Sequence, residues 1–322
     1  TNMGGESFFF FFLSLKAERK KSLKMRMKKY KAFYLMQIPI IILVIIFSYI
    51  PMFGIIMAFQ EYDILGGFFA SKWVGLDNFI KIVTIPKFVD AIKNTLYIGV
   101  ITWIFGTPLP ILLAVMMHEI VNTKFRSVVQ TITYLPHFVS WVAIAGIFQT
   151  VFANEGTYNI IMKLIIGGGY EPTNILMNPK HFWGIIFWTN QWKEIGWNSM
   201  IFFAAIAGVD PTQYEAAKMD GCGKIRQIFS ITIPNILPTL AIVLIMSTAG
   251  FLSANFEQIL NFQNVYTQSQ TEVIQTLTYR EGILQANYSM AIAFGFAASM
   301  VTFLFMIISN RVSKKVSDIG IW

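Results

Sequence analysis

Polar, charged and aromatic side chains are concentrated between positions 190 and 198 of this chain, inside a stretch that is otherwise apolar. Side chains four residues apart share one face of a helix, so the amides and the carboxylate of this run line up, with a lysine and a tryptophan on the neighbouring stripe. Amides beside aromatic faces suit a sugar, whose rings have apolar faces and hydroxyl rims. The candidate solute-contacting residues of the run are Asn190, Lys193, Glu194, Trp197 and Asn198.

The charged pair Lys193 and Glu194 has two interpretations. Charge at the centre of a lipid-facing helix costs roughly 2.5–3.5 kcal/mol per residue, so these groups should face protein or water. Either they line a cavity that admits a polar solute, or they pair with other helices and hold the bundle together. Asn255 and Glu257, further along the chain, raise the same question more weakly, and there the end of a helix is the competing explanation.

A second polar segment, from 209 to 237, separates two long apolar stretches and carries the signals of one short helix. Asp210 can cap its amino end, Pro211 suits its first position, and Gln213 can complete a capping box. Gly221 permits the left-handed turn that ends such a helix. Two adjacent alanines leave a smooth face that another surface can approach closely, so this helix is suited to docking a partner.

Several chemistries are disfavoured by the sequence. The fragment at 221–225 suggests a phosphate-binding loop, but that pattern needs Gly at 218 and Ser or Thr at 225, where Lys218 and Ile225 stand. The three histidines have no clustered ligand spacing, which argues against a metal site. Cys222 is the only cysteine, so an intrachain disulfide is impossible. We therefore predict that the chain is not an enzyme and holds no cofactor of its own.

The composition indicates which elements must position these residues. Hydrophobic residues make up 55% of the chain and charged residues 13%, and the mean hydropathy is +0.57. These values favour an all-α integral membrane protein over a soluble one with a large core. The stretches long enough to cross a bilayer as helices are 34–59, 95–117, 134–152, 182–208, 238–260 and 289–310.

The distribution of basic residues predicts the orientation. Nine lysines and arginines precede the first span, and placing that end in the cytoplasm puts seventeen basic residues inside and seven outside. The net charge of +8 is then a topology signal together with attraction to anionic lipid. A nucleic-acid partner is disfavoured because the basic run abuts a span. The predicted divisions are a basic cytoplasmic segment at 1–33, a membrane domain at 34–310 and a cytoplasmic tail at 311–322.

The polar segment at 209–237 resembles the EAA loop of ABC-importer permeases, which docks on the ATP-hydrolysing subunit. Ile233 departs from the family, which usually has Leu there. The resemblance to the type I permease core covers about 95–310, and shorter matches at 29–31, 51–54, 73–79, 256–259 and 320–322 resemble the oligosaccharide or polysaccharide-type sugar permeases of bacteria. The residues that carry the loop resemblance are Glu215, Ala216, Ala217, Gly221, Ile231, Ile233 and Pro234.

The resemblance implies the type I ABC importer permease fold, with six transmembrane helices, in a bacterial plasma membrane. It implies pairing with a second homologous permease, two ATPase subunits that bind ATP and Mg, a solute-binding lipoprotein outside, and an oligosaccharide moved by alternating access. The residues it implies for ATPase coupling are Glu215, Ala216, Ala217, Asp220, Gly221 and Pro234. The alternative is a secondary transporter or channel that works without ATPase subunits, and an intramembrane enzyme comes third.

Overall fold

The computed structural model describes residues 28–252 and 256–317, and these are almost entirely helical. The chain divides into two compact units at Ile56/Met57. The first unit contains helix α1, Lys31–Val44, a π-helical turn, Ile45–Tyr49, and one further turn, Ile50–Met52. All side chains of α1 are exposed although nearly all are apolar, which suits a helix surrounded by lipid.

The second unit begins within a 3-10 segment, Phe53–Phe59, and continues with an antiparallel hairpin in which Gln60 pairs with Trp73 and Glu61 with Lys72. Helices connected by short turns follow the hairpin. Apart from two short helices, Lys224–Gln227 and Gln268–Thr271, they are α2 Asp77–Thr84, α3 Pro86–Ile101, α4 Pro108–Glu119, α5 Thr123–Tyr134, α6 Trp141–Val151, α7 Thr157–Ile166, α8 Pro179–Ala207, α9 Pro211–Met219, α10 Ile233–Gly250, α11 Phe256–Phe262, α12 Ile274–Tyr279 and α13 Tyr288–Ser317.

Four helical stretches in the described part of the chain are long and apolar enough to cross a membrane: Lys31–Phe59, Pro86–Glu119, Lys224–Thr248 and Tyr288–Lys315. The prediction of several apolar spanning helices is therefore confirmed. α8 is a further helix of 29 residues, and its polar run at 190–198 keeps it outside that group. At about 1.5 Å per residue it is long enough to cross the hydrocarbon core.

The third predicted span, 134–152, differs from the structure. The chain bends by 100° between the helical stretches Thr123–Phe138 and Trp141–Val151. Pro136 lies just before the break, and Ser140 then caps α6 by accepting a hydrogen bond from the Ala143 N–H. A new cap after an extended residue ends one helix and starts another, so the segment is not a single straight rod.

The fifth predicted span, 238–260, also differs. Helical structure starts well before 238, passes through a π-helical turn, Ile228–Thr232, and ends as α10 at Gly250, while α11 is a separate helix. A second π-helical turn, Thr102–Gly106, precedes Pro108. Since a proline lacks the N–H and clashes with the carbonyl four residues earlier, a wider turn just before it relieves the conflict.

Three clusters of buried side chains hold the second unit together. One joins α3, α6, α8 and α11, a second joins the hairpin region, α2, α3, α12 and α13, and a third joins α4, α8 and α10. The third contains Ala114, Phe202 and Ile236, which are all at most 1% exposed. Because α8 contributes to two of the three clusters, its polar run is placed at the centre of this unit.

Candidate functional site

A cavity of about 610 Å³ lies between α3, α4, α8, α10 and α11. The predicted residues Asn190, Trp197 and Asn198 line it, and so does Gln191. Two further polar lining groups are bonded to each other, with the Trp103 Nε1–H donating to the Ser247 hydroxyl at 3.1 Å. The described lining residues are apolar, amide, hydroxyl or aromatic, and none carries a charge. Such a surface can pack on sugar rings and bond their hydroxyls.

One wall of the cavity is fixed by a buried amide that joins α11 to α8. Gln258 is fully buried, and its Nε2 donates to the Ile186 carbonyl and to the Thr189 hydroxyl, both at 2.7 Å. Buried amide bonds of this kind set the register of two helices, because leaving them unmade is costly. Glu257, the predicted pathway residue beside it, is exposed and does not line the cavity. Asn255 lies outside the described residues.

Lys193 and Glu194 do not line the cavity and instead bind the bend between α5 and α6. The Lys193 Nζ donates to the His137 backbone carbonyl and lies 3.3 Å from the Glu194 carboxylate. The Glu194 carboxylate is 2.7 Å from His137 Nδ1. Lys193 is buried and also lies 5.5 Å from the centre of the Trp141 ring. These contacts pair both charges within the protein, which is the second of the two interpretations given above.

Trp197 connects this charged cluster with the cavity. One face of its indole ring stacks on the His137 ring, with centroids 4.3 Å apart and planes 2° from parallel, and Phe138 meets it edge-on. The indole is partly exposed and also lines the cavity. Sequence reasoning did not connect His137 with Lys193, Glu194 or Trp197, because these partners lie more than fifty residues away and only the folded structure brings them together.

The segment after α8 forms the short helix α9 that the sequence predicts. The Asp210 side chain accepts a hydrogen bond from the Thr212 N–H, and Pro211 occupies the first helical position. That backbone bond holds the pKa of Asp210 below its ordinary value, so the cap stays ionised at neutral pH. The predicted capping box is wrong, because the Gln213 side chain accepts a hydrogen bond from Asn235 at 3.0 Å.

The end of α9 at Gly221 is a Schellman motif, with a left-handed glycine and two backbone bonds. Gly221 has φ +73°, and its N–H donates to the Lys218 carbonyl at 3.0 Å. The Cys222 N–H donates to the Ala217 carbonyl at 2.8 Å. These bonds satisfy carbonyls that a helix end leaves free. The predicted left-handed turn at Gly221 is confirmed.

The described residues of the loop present an exposed face. Glu215, Ala216, Asp220 and Gly221 are exposed, and Ala217 is half-buried. Pro234 is also exposed, but it belongs to the first turn of α10 rather than to the face of α9. The exposed group at 215–221 can therefore be reached by another protein, as the sequence predicts for a docking helix.

Three further side-chain contacts, which sequence reasoning missed, hold this loop against the helical bundle. The Tyr214 and Thr232 hydroxyls are bonded at 3.0 Å, and the Tyr214 ring lies 6.2 Å from the His118 ring at the end of α4. Lys224 forms an ion pair with Glu119. α9 is thus connected to α4 and to the start of α10, two of the helices that bound the cavity.

The fold and the site together define an integral membrane protein with a polar cavity between its helices and an exposed helix on a connecting segment. Residues 106–318 match the binding-protein-dependent transport system inner membrane component family. This match covers well over half of the chain, and the chain belongs to that family. Its members are permease components, so this chain is a transport subunit, and the prediction that it resembles ABC-importer permeases is confirmed.

Individual relatives agree with the family. The chain is 36% identical to the polygalacturonan/rhamnogalacturonan transport system permease protein YteP of Bacillus subtilis (strain 168), over 95% of each chain. Among solved structures, it is similar to a bacterial ABC transporter involved in the import of the acidic polysaccharide alginate, with a TM-score of 0.85 and 35% identity over 92% of this chain and 99% of that one. An alginate transporter structure in complex with an alginate pentasaccharide-bound periplasmic protein matches equally well, at TM-score 0.85 and 35% identity, over 92% and 98%.

Proposed function

We propose that this chain is the permease subunit of an ABC importer that takes up an oligosaccharide delivered by an extracytoplasmic binding protein. The observation that carries this proposal is the uncharged cavity beside Trp197, Asn198 and Asn190, whose groups suit sugar rings and hydroxyls. The similarity to a polygalacturonan/rhamnogalacturonan permease and to an alginate importer supports it. Uncharged lining on this chain leaves the carboxylates of an acidic sugar to be met by another subunit.

The rest of the machine is assigned to partners. The subunit pairs with a second homologous permease, and two ATPase subunits bind and hydrolyse ATP with Mg. A solute-binding lipoprotein docks on the outer side, and the similar alginate transporter complex supports such a partner. The chain spans the bacterial plasma membrane six times, counting the four apolar stretches, the bent pair and α8, with both termini in the cytoplasm. It performs no catalysis and needs no cofactor of its own.

Coupling runs through α9. The group at 215–221 enters a cleft on the ATPase, where Glu215 meets a basic or hydrogen-bonding partner and the two alanines set how closely the surfaces approach. When the ATPase pair closes, α9 moves, and its contacts with α4 and α10 carry the displacement to two walls of the cavity. Rigid-body movement around a fixed site exposes the cavity first to one side of the membrane and then to the other.

Co-purification of the ATPase, measured beside sugar uptake, tests this assignment. Glu215→Lys and Ala217→Trp place a like charge and a bulky ring in the docking face, so both should lose ATPase and uptake together. Gly221→Val forces a left-handed β-branched residue, costing on the order of 1–2 kcal/mol, and should do the same. Gly223→Val is the matched control, because its φ of −66° is ordinary and no atom lies near its added Cβ.

Normal ATPase binding and uptake in all three variants would contradict the ABC assignment and favour a secondary transporter or channel. A variant that loses the ATPase while retaining full uptake would do so too. Either result counts only if the variant permease is present in the membrane at normal abundance. We expect normal abundance because the loop lies outside the spanning helices. Loss in Gly223→Val as large as in Gly221→Val would show that the loop tolerates no bulk and that the turn itself is not the cause.

The cavity is tested separately with Trp197→Ala. Removing the indole should lower sugar uptake while the ATPase still co-purifies, because Trp197 lines the cavity and lies away from α9. Trp188→Ala on the same helix is the control, since Trp188 is exposed and is not a lining residue. Equal uptake by both variants and the wild type would remove Trp197 from the solute pathway without touching the coupling assignment.

A further inference from the structure

The segment 60–85, between two membrane-crossing stretches, is folded although much of it is exposed. The hairpin pairs Gln60 with Trp73. The Asn78 side chain donates to the Ala58 and Gln60 carbonyls, both at 3.0 Å. The Tyr62 N–H donates to the Ser289 hydroxyl at the start of α13 at 2.8 Å. Internal bonds and a tie to another helix therefore hold this segment in one shape.

The tip of the hairpin presents apolar side chains. Residues 64–71 contain no charged side chain, and Leu65 and Phe69 are almost completely exposed. The tip is ordered by its own bonds, since the Ser71 hydroxyl donates to the Gly67 carbonyl at 2.6 Å and accepts from the Asp63 N–H at 3.0 Å. An ordered loop that holds two large apolar groups away from the protein indicates an apolar partner.

The helix α2 also exposes apolar side chains, and they lie along one stripe of its surface. At about 100° per residue, its surface divides into three stripes. Asn78 and Ile82 are buried against the protein. Of the exposed remainder, one stripe is apolar and the next is polar. The apolar stripe consists of Leu76, Ile80 and Val83, and the polar stripe of Asp77, Lys81 and Thr84.

We propose that segment 60–85 lies in the membrane–water interface, with the hairpin tip and the apolar stripe of α2 inserted into the lipid boundary. The occupant of this surface is the bilayer, because the segment begins at the end of one membrane-crossing stretch, Lys31–Phe59, and ends where the next one starts, at Pro86. The apolar and polar stripes are separated as in helices that lie along a membrane surface. Trp73 is exposed, and tryptophan is enriched in the aromatic belts of membrane interfaces.

This anchor has a consequence for the fold. It fixes the depth at which α3 starts, since Ile85 alone separates the end of α2 from the start of α3. Through the Tyr62–Ser289 bond it also holds the start of α13 at the same level. The outer ends of α3 and α13 are thereby held at one depth by the same lipid-bound segment.

Depth-dependent quenching of a fluorescent label in lipid nanodiscs tests the proposal on the full chain. Single cysteines from Phe69→Cys, Ile80→Cys and Lys81→Cys, in a Cys222→Ser background, each carry the same environment-sensitive fluorophore. All three positions are exposed, so labelling does not require the fold to open. Phospholipids with a nitroxide high on the acyl chain quench from the bilayer, and iodide quenches from water.

The nitroxide lipid should quench the labels at 69 and 80 at least about twofold more strongly than the label at 81. Iodide should quench the label at 81 more strongly than the other two. Lys81 is the matched control, since it neighbours Ile80 on the same helix and lies on the polar stripe. Adding the solute-binding protein should not change the lipid quenching. Equal lipid quenching at 80 and 81, or labels at 69 and 80 that stay open to iodide until that protein is added, would overturn the proposal and make the surface a protein-docking site.

Discussion

Gly196 lies where α8 passes close to the backbone of α5. A Cβ built at this position would lie 2.0 Å from the Thr133 carbonyl oxygen and 2.4 Å from its carbon. Those atoms belong to the backbone of α5, so no side chain can rotate to make room. The glycine lies in the polar run of α8, one residue before Trp197, and no role was predicted for it from the sequence. Close contact of two backbones is common in membrane bundles.

We predict that Gly196→Ala separates α5 from α8 and lowers the thermal stability of the purified permease, on the scale of about 1–3 kcal/mol for overpacking. Gly184→Ala on the same helix is the matched control, because no atom lies within 4 Å of its added Cβ. It should leave the unfolding temperature unchanged or raise it slightly, since alanine is the better helix former. The unfolding temperature in detergent is the measurement, and equal values for both variants would contradict the close packing.

Residues differ in how much of their structural role could be predicted from the sequence. Asp210, Pro211 and Gly221 act on their immediate neighbours, so local rules for helix ends predicted them correctly. Lys193 could only be placed on a helical stripe. Its partner carbonyl, at His137, belongs to another helix, and a helical wheel does not tell which element covers a face.

The joint between α9 and the bundle includes a hydroxyl pair, a ring contact and the side-chain hydrogen bond from Asn235 to Gln213. Thr232 is 3% exposed and stands in the π-helical turn that leads into α10, and Tyr214 is the residue just before Glu215. Displacement of α9 therefore reaches α10 directly through the 3.0 Å bond between these hydroxyls. A neutral hydrogen bond of this kind contributes about 0.5–1.5 kcal/mol net, enough to matter when two states differ by a few kcal/mol.

We predict that Tyr214→Phe and Thr232→Val each reduce the sugar taken up per ATP hydrolysed, while ATPase co-purification stays normal because the exposed face at 215–216 is unchanged. The double variant should be no worse than either single one, since both remove the same bond. Ser230→Ala is the control, an exposed hydroxyl in the same π-helical turn. Additive losses, or an unchanged ratio of uptake to ATP hydrolysis, would show that the hydroxyl pair does not transmit movement.

At the scale of elements, the length of the apolar stretches predicted that the helices exist but did not predict where they break. The fifth predicted span ended at 260, and the structure ends α10 at Gly250. Hydropathy averages over a window, so it does not register a cap such as Ser140 inside an apolar run. The hairpin at 60–73 was also missed, because its strands have two residues each and leave no detectable alternation.

At the scale of the whole molecule, the distribution of lysine and arginine predicts the orientation of the chain in the membrane. The loop between α4 and α5 and the loop around α9 contain basic residues, as does the end of α13, where Lys314 and Lys315 lie. These segments hold eight basic residues against seven in the loops on the opposite side, so the asymmetry comes mainly from the nine that precede the first span. Since cytoplasmic segments carry the excess of lysine and arginine, the exposed helix α9 is predicted to face the cytoplasm, the side on which the proposed ATPase would bind.

Labelling of single cysteines in intact cells tests this orientation in a Cys222→Ser background. An impermeant thiol reagent should label Asp77→Cys and Val265→Cys, which lie on predicted outer loops, and should leave Ser127→Cys unlabelled until the membrane is permeabilised. All three positions are exposed, so accessibility reports the side of the membrane and not burial. Thr271, on the same outer loop as Val265, is 1% exposed and would stay unlabelled on either side. Labelling at 127 with protection at 77 and 265 would invert the topology, place α9 outside the cell, and leave no route by which a cytoplasmic ATPase could reach it.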